Sequence, residues 1–210
     1  MIDGLIGKKL GMTQMLDGDG RRVAVTVIEA GPCVVVQRKR AARDGYEAVQ
    51  LGFGPRKESR TGKPAAGHFK RAGGGSRAHL REFGLDQDGE VEAGQTVDVS
   101  LFEGVAYVDV TGVSKGRGFQ GVVKRYRMRG GPMSHGGHSK RRVGSIGQCS
   151  YPARVIKGQR MPGHMGRVRV TQQNLRIVGI RNEDNLLLIR GAVAGPAGGL
   201  VMVRRAKKKR

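Results

Sequence analysis

The sequence has no tryptophan, only 4% aromatic residues and just two cysteines. Cys33 and Cys149 are too few for a disulfide framework in a chain of 210 residues, which predicts reduced intracellular thiols. No run approaches the ~20 apolar residues that a membrane-spanning helix needs, and the first residues lack the pattern of a secretory signal. These absences predict a cytoplasmic protein without membrane partners.

Negative charge is missing from a large part of the chain. Lys and Arg number 39 against 17 Asp and Glu, a formal net charge of +22. Residues 1–109 carry 16 basic and 15 acidic residues, whereas residues 110–182 carry 16 basic residues and no acidic one. This acid-free stretch, residues 110–182, repels itself unless an anionic partner neutralises it. The alternative, a solvated charge run, is usually rich in Lys and Glu and lacks the scattered Val, Ile, Met and Tyr of this stretch. The sequence therefore predicts a polyanionic partner.

Residues 116–121 have the spacing Gly-x-Gly-x-x-Gly of a dinucleotide-binding turn, followed by a predicted short helix at residues 120–126. Such a turn needs an acidic residue about twenty positions later to hold a ribose, and residues 134–142 contain none. Glycines that let backbone N–H groups approach phosphate, with basic residues around them, suit a nucleic-acid backbone better than a small cofactor. A nucleotide-dependent enzyme built on this turn stays an alternative.

Four residues could bind a metal or act in catalysis: His135, His138, Cys149 and His164. Their spacing is loose and their surroundings are positive, so we expect no metal. A cysteine nucleophile needs a base and an orienting acid, and the acid-free stretch offers no carboxylate. The sequence predicts neither enzymatic activity, nor a cofactor, nor a small-molecule substrate.

Short apolar segments separated by turn residues indicate many β-strands. They lie at residues 23–28, 34–36, 49–53, 97–101, 105–110, 175–180, 186–189 and 200–203. Gly31-Pro32 predicts a tight turn between the first two strands, and residues 181–185 predict another turn late in the chain. This spacing favours a closed or nearly closed β-barrel.

Two stretches depart from the strand pattern. Residues 55–95, which include a glycine run at 73–75, predict an insertion with a short helix near residues 78–83. Residues 130–166 have almost no hydrophobic period, which predicts an arm that folds on a partner. The last residues, 206–210, predict a frayed basic end that touches phosphate.

The residue types of the acid-free stretch indicate which nucleic acid it binds. Arg, which binds phosphate bidentately, outnumbers Lys, and the aromatic residues are limited to Phe119, Tyr126 and Tyr151. This scarcity disfavours a stacking platform for single strands and favours folded, largely helical RNA recognised by shape and phosphate. A DNA-compacting architectural protein is the other alternative, although no helix-turn-helix or basic-zipper pattern is present.

Several motifs resemble those of family three of the large-subunit ribosomal proteins, in its bacterial form. The opening residues 4–14 (GLIGKKLGMTQ) are similar to the family's amino-terminal signature. The stretch from Phe102 through Asp109, Gly112 and Ser114 to Arg125 matches its long diagnostic pattern. Further similar segments, which extend the resemblance over essentially the whole chain, are residues 134–136, 144–148, 161–166 and 185–191.

The resemblance implies a mainly β fold: a Greek-key-type β-barrel with a small α+β insertion and a long irregular basic extension. It implies a non-enzymatic protein of the cytoplasmic large ribosomal subunit that binds 23S rRNA near its 3′ end and assists early assembly. The extension would reach toward the peptidyl-transferase centre, and ribosomal proteins of families fourteen and nineteen would be neighbours. Gln148 matches a position that a glutamine methyltransferase N5-methylates in some bacteria, although residues 149–153 differ from the Thr-Pro-Gly expected there.

The sequence and the resemblance together predict a division into domains and a set of RNA-binding residues. Residues 1–54, 96–125 and 167–205 are assigned to a discontinuous barrel body, 55–95 to an inserted subdomain, 126–166 to an rRNA-penetrating arm and 206–210 to a basic tail. The predicted RNA-binding residues are Lys8, Lys9, Lys115, Arg117, Gly118, Lys124, Arg125, Arg127, Arg129, His135, Lys140, Arg141, Arg142, Gln148, Arg154, Lys157, Arg160 and Arg167.

Overall fold

The computed structural model describes residues 1–73, 75–85 and 91–209. Gly74 of the glycine run, residues 86–90 of the predicted insertion and Arg210 of the predicted tail lie outside the described residues. The strands are β1 (Gly4–Leu16), β2 (Arg22–Ala30), β3 (Cys33–Lys39), β4 (Ala48–Pro55), β5 (Arg77–Gly84), β6 (Thr96–Val97), β7 (Tyr107–Val113), β8 (Gly118–Gln120), β9 (Gly163–Met165), β10 (Arg169–Arg181), β11 (Leu186–Arg190) and β12 (Leu200–Arg205). The helices are α1 (Ala41–Asp44), α2 (Lys63–Arg71) and α3 (Val122–Tyr126), with 3-10 turns at Glu58–Arg60 and Val99–Phe102.

Six strands close into an antiparallel barrel in the order β1-β12-β7-β10-β11-β2. β10 and β11 form a hairpin, and β12 returns to lie beside β7, which is the strand order of a Greek key. The predicted mainly β fold with a Greek-key-type barrel is therefore confirmed.

β1 was not among the predicted strands, because glycines and the Lys8-Lys9 pair hide its alternation. Two of its glycines are needed where neighbouring backbones come close. A Cβ on Gly4 would lie 2.1 Å from the carbonyl oxygen of Val203, and one on Gly7 would lie 2.7 Å from that of Glu29. Small residues thus let β1 pair with both β12 and β2.

A second sheet has the strand order β5-β4-β3-β6. The break at Gly31-Pro32 therefore connects a barrel strand to this sheet and does not form a hairpin between two paired strands. β3 and β4, which the predicted division places in the barrel body within residues 1–54, pair here instead. The domain division as a whole stays a prediction.

Two sequence-based expectations for this second sheet were wrong. The helix predicted near residues 78–83 is strand β5, which pairs with β4 along its length and buries Phe83. Pairing and burial outweigh the weak local helical preference. The strand predicted at residues 97–101 ends at Val97, and a 3-10 turn then buries Val99 and Phe102. The helix of this region is α2, which was not predicted from the sequence.

One apolar core joins the barrel and the second sheet. Its fully buried members include Ile28 and Leu187 from barrel strands, Leu51 and Phe83 from the sheet, and Phe102 from the 3-10 turn. We call residues Met1–Val113 and Arg169–Arg210 the body, because they form one contact unit.

Ser114–Val168 form a second contact unit, which we call the basic segment. Its regular structure is α3 and a two-stranded ribbon of β8 and β9. The helix predicted at residues 120–126 is confirmed as α3, two residues shorter at its start. Val122 is the only buried apolar side chain of this segment.

Candidate nucleic-acid interface

Hydrogen bonds within the basic segment hold its two ends together. The Ser114 backbone N–H donates to the Val168 carbonyl at 2.9 Å, and the Val168 N–H donates to Ser114 Oγ at 3.2 Å. β8 then pairs with β9, with Gly118 opposite Met165 and Gln120 opposite Gly163. Residues 121–162 therefore form one long connection between the paired strands β8 and β9.

The glycines of residues 116–121 shape the base of the ribbon. The Arg117 N–H donates to the Met165 carbonyl at 2.8 Å, so this N–H is used inside the protein. Gly166 lies so close to the opposite chain that a Cβ there would be 2.3 Å from the Lys115 carbonyl oxygen. The expected role of this turn, free N–H groups for phosphate, does not apply to Arg117, and the turn instead positions its exposed basic side chains.

Arg125 differs from the other predicted RNA contacts because it is half-buried and already has partners. Its Nη1 donates to the Met161 carbonyl at 2.7 Å, and its guanidinium lies 5.0 Å from the centre of the Tyr126 ring. Arg160 approaches the same ring at 5.6 Å. Arg125 thus connects α3 to the chain just before β9.

The loop of residues 130–140 brings Arg129 close to the basic residues 140–142. The Gly131 N–H donates to the Lys140 carbonyl at 3.2 Å, and Gly130 has a φ of 79°. A Cβ on Gly130 would lie 2.5 Å from the same carbonyl oxygen, so glycine permits the close approach. Arg129 is thereby placed beside the run of residues 140–142.

Most of the predicted set is exposed on the basic segment. The segment has thirteen Lys and Arg residues and no Asp or Glu, so none of these cations has an acidic partner within the segment. The exposed members of the set are Lys115, Arg117, Gly118, Lys124, Arg127, Arg129, His135, Lys140, Arg141, Arg142, Gln148, Arg154, Lys157, Arg160 and Arg167. Such a surface strongly favours a polyanion.

Gln148 lies in an irregular part of the basic segment. It lines an open cavity of about 200 Å³ together with Ser145, Ile146, Pro152 and Arg154 among others. Ser145 Oγ donates to the Gly147 carbonyl at 2.9 Å and so fixes the turn before Gln148. The Gln148 side chain is exposed and accessible to another macromolecule.

The two predicted contacts in β1 have different environments. Lys8 is exposed, whereas Lys9 is only 8% exposed. Lys9 Nζ donates to the Val193 carbonyl at 2.8 Å and to the Gly195 carbonyl at 3.2 Å. The buried ammonium group of Lys9 therefore holds the 193–195 loop, and its assignment as an RNA contact has the least structural support of the set.

Candidates for other chemistry are not assembled in the described residues. There, no group of three or more His, Cys, Asp or Glu side chains could hold a metal ion. Burial raises the pKa of the Cys33 thiol to about 12, which keeps this cysteine protonated and unreactive. Along the described chain, no helix is long and apolar enough to cross a membrane.

Phe119 was not among the predicted RNA contacts, although the ribbon presents it to solvent. Phe119 is 77% exposed and lies opposite His164, which is also exposed. The signal was available as an isolated aromatic residue inside a basic stretch, but the pairing of β8 with β9 could not be read from two three-residue strands.

Comparison with known proteins identifies the family. Residues 71–186 match the family described as Ribosomal protein L3. The chain is 50% identical over 207 residues to large ribosomal subunit protein uL3 of Brachyspira pilosicoli, covering 99% of this chain and 95% of that protein. It is also 50% identical over 210 residues to large ribosomal subunit protein uL3 of Geobacter sulfurreducens, covering 100% of both. The resemblance seen in the motifs is thus confirmed. The chain is a structural ribosomal protein and not an enzyme, and it belongs to the ribosomal protein L3 family.

Proposed function

We propose that the chain is a structural component of the cytoplasmic large ribosomal subunit and that it binds 23S rRNA near the 3′ end of that RNA. The basic segment extends toward the peptidyl-transferase centre, while the body fixes its position. The protein assists early subunit assembly and adjoins ribosomal proteins of families fourteen and nineteen.

One observation carries this proposal: the thirteen basic residues of Ser114–Val168 have no acidic residue among them. Closely packed rRNA helices concentrate phosphate, and basic side chains that contact it release condensed counterions. That release is a sequence-independent gain, which suits a segment whose irregular path follows a folded RNA surface. The proposed contacts are the exposed basic residues of the predicted set.

Binding to protein-free 23S rRNA at several salt concentrations tests the mechanism. We expect affinity to fall by about 10³- to 10⁵-fold between 50 and 200 mM salt if six to ten phosphates are contacted. A flat salt dependence would contradict the proposal.

Sedimentation of the tagged chain in a cell lysate tests the location, because we expect co-migration with large subunits and not free protein at the top of the gradient.

Duplex DNA is the competitor that separates this proposal from an architectural DNA-binding protein. Most basic residues of the segment lie outside its one helix, the five-residue α3, so the charge does not lie along a recognition helix, and we expect rRNA to outcompete duplex DNA. Equal binding of the two nucleic acids would favour the alternative.

A modification at Gln148 is a finer part of the proposal. The exposed side chain beside an open cavity is accessible to a glutamine methyltransferase. Intact-mass measurement of the protein from its native host should then find one additional methyl group that is absent from the Gln148→Ala variant. An unmodified mass would remove this part of the proposal alone.

A further inference from the structure

The ribbon of β8 and β9 presents an aromatic pair to solvent. Phe119 and His164 are register partners, and residues directly opposite each other in an antiparallel pair project from the same face. Phe119 is 77% exposed. An exposed phenylalanine ring gains little from folding, since burial of its apolar surface is what makes such a residue favourable.

The opposite face of the ribbon is partly covered. Gln120 and Met165, the neighbours of the aromatic pair along each strand, are half-buried. A Cβ on Gly163 would lie 2.7 Å from a guanidinium nitrogen of Arg125, so that glycine packs directly against Arg125. The ribbon is therefore one-sided, with one face packed on the basic segment and the other presenting Phe119 and His164.

Positive charge surrounds the exposed pair at one end of the ribbon. Lys115 and Arg117 precede β8 and Arg167 follows β9, and all three are exposed. The Cβ position of Gly116 is 3.9 Å from Cβ of Arg167, so the two flanking chains are adjacent. A flat aromatic surface beside several cations and no carboxylate matches a nucleotide, which has a flat base and a charged phosphate.

We propose that Phe119 and His164 form a stacking site for one unpaired RNA base, with its neighbouring phosphates held by Lys115, Arg117 and Arg167. The site rests on the proposed rRNA binding and adds a single-stranded contact to it. It differs from the expectation that this segment recognises helical RNA through shape and phosphate alone.

Affinity and salt dependence separate stacking from charge. With the full chain and protein-free 23S rRNA, Phe119→Ala should weaken binding by about 5- to 150-fold, the range for loss of one stacked base. The slope of log affinity against log salt should stay at the wild-type value, because no phosphate contact is lost. Arg117→Ala should instead make that slope shallower by about one. Leu16→Ala, at a 67% exposed apolar residue of the body, is the matched control and should leave affinity unchanged.

Fluorescence supplies an independent readout, since the natural chain has no tryptophan. Phe119→Trp should retain affinity, and its emission should be quenched when 23S rRNA binds, whereas Leu16→Trp should change little. If wild-type binding shows its steep salt dependence but Phe119→Ala binds equally well, the stacking proposal is wrong and the proposed function stands. A Phe119→Ala variant that binds rRNA normally yet fails to enter subunits would place the ring against a protein and also overturn it. If the wild-type chain does not bind rRNA, both proposals fail.

Discussion

The body and the basic segment are stabilised by different interactions. The body has a continuous apolar core that includes Leu5, Ile28, Leu187 and Val203, all fully buried. The basic segment has Val122 as its one buried apolar side chain and thirteen cations without an acidic partner inside the segment. The free energy that fixes the body comes from its own side chains, whereas the segment needs an external anion to offset its charge.

This contrast is what the proposed function requires, because a body with its own core and a segment with cations but no carboxylates have different needs for a partner. The apolar core of the body is formed by side chains of the chain itself. If the basic segment binds RNA as proposed, part of its stability comes from that contact, and its ordering then contributes directly to the binding equilibrium. We expect amides of residues 121–162 to exchange faster than those of β10–β12 in the free protein, and to become protected when rRNA binds.

The largest expected effect is a loss of rRNA affinity when positive charge is removed from the basic segment and not from the body. Replacing Arg129, Lys140, Arg141 and Arg142 together with Gln should weaken 23S rRNA binding about 10²- to 10³-fold at physiological salt, because up to four counterions are no longer released. The salt slope should become shallower by about three. Binding titrations at several salt concentrations measure both quantities.

The matched control removes four exposed cations from the body. Arg21, Arg22, Lys57 and Lys63 lie outside the basic segment, and their replacement with Gln lowers net charge equally. If rRNA affinity follows net charge alone, both variants will lose the same affinity, and the distinction between body and segment will not hold for binding.

Identical substitutions in the two regions should have unequal effects on stability. Val110 is fully buried in the main core, and Val122 is 1% exposed in the basic segment. Val110→Ala should lower the free energy of unfolding by about 2–3 kcal/mol, from lost burial plus a cavity. Val122→Ala should change it by less than about 1 kcal/mol, since Val122 belongs to none of the apolar clusters of the described residues. Urea unfolding of both variants measures the difference. Equal losses of unfolding free energy would show that packing around Val122 stabilises the protein as much as packing around Val110.

Some elements of the structure could be predicted from the sequence, and others could not. β10, β11 and β12 were predictable in part, because the short apolar runs at residues 175–180, 186–189 and 200–203 supply side chains to the apolar clusters of the body. β5 was not, because its conformation depends on pairing with β4, from Pro55 opposite Arg77 to Ala48 opposite Gly84. The basic surface was predictable from composition, because a segment without carboxylates must present its cations.

Individual side chains were harder to assign than the surface as a whole. Lys9 and Arg125 look like their basic neighbours in the sequence, but both donate to backbone carbonyls. The partner of Lys9 is 184 residues away along the chain and that of Arg125 is 36 residues away. No local pattern encodes such distant partners, so only the fold separates structural cations from exposed ones.

Lys9 therefore tests the assignment of a single cation within the body. Lys9→Met keeps the aliphatic stem but leaves the Val193 and Gly195 carbonyls without their donor. We expect a loss of about 1–2 kcal/mol in unfolding free energy, partly offset by the apolar methionine. Affinity for 23S rRNA should stay at the wild-type value in filter-binding assays. A salt slope that becomes shallower by about one would instead make Lys9 a phosphate contact.

The smallest expected effect concerns the ion pair at the edge of the second sheet. Lys39 Nζ lies 2.8 Å from Glu82 Oε1, and the Tyr46 hydroxyl donates to Glu82 Oε2 at 2.9 Å. The hydrogen bond from Lys39 lowers the pKa of Glu82 below its ordinary value of 4.5.

A carboxyl pKa that is lower in the folded state stabilises the fold at pH values above the ordinary pKa, and this contribution is lost as pH falls through the lowered pKa. Wild type should therefore exceed Glu82→Gln in stability at neutral pH by a small margin that vanishes at strongly acidic pH, because water screens an exposed pair. Thermal unfolding of the two proteins across pH 2–7 measures the difference, and a margin that persists at the lowest pH would assign the effect to packing of the side chain and not to its charge.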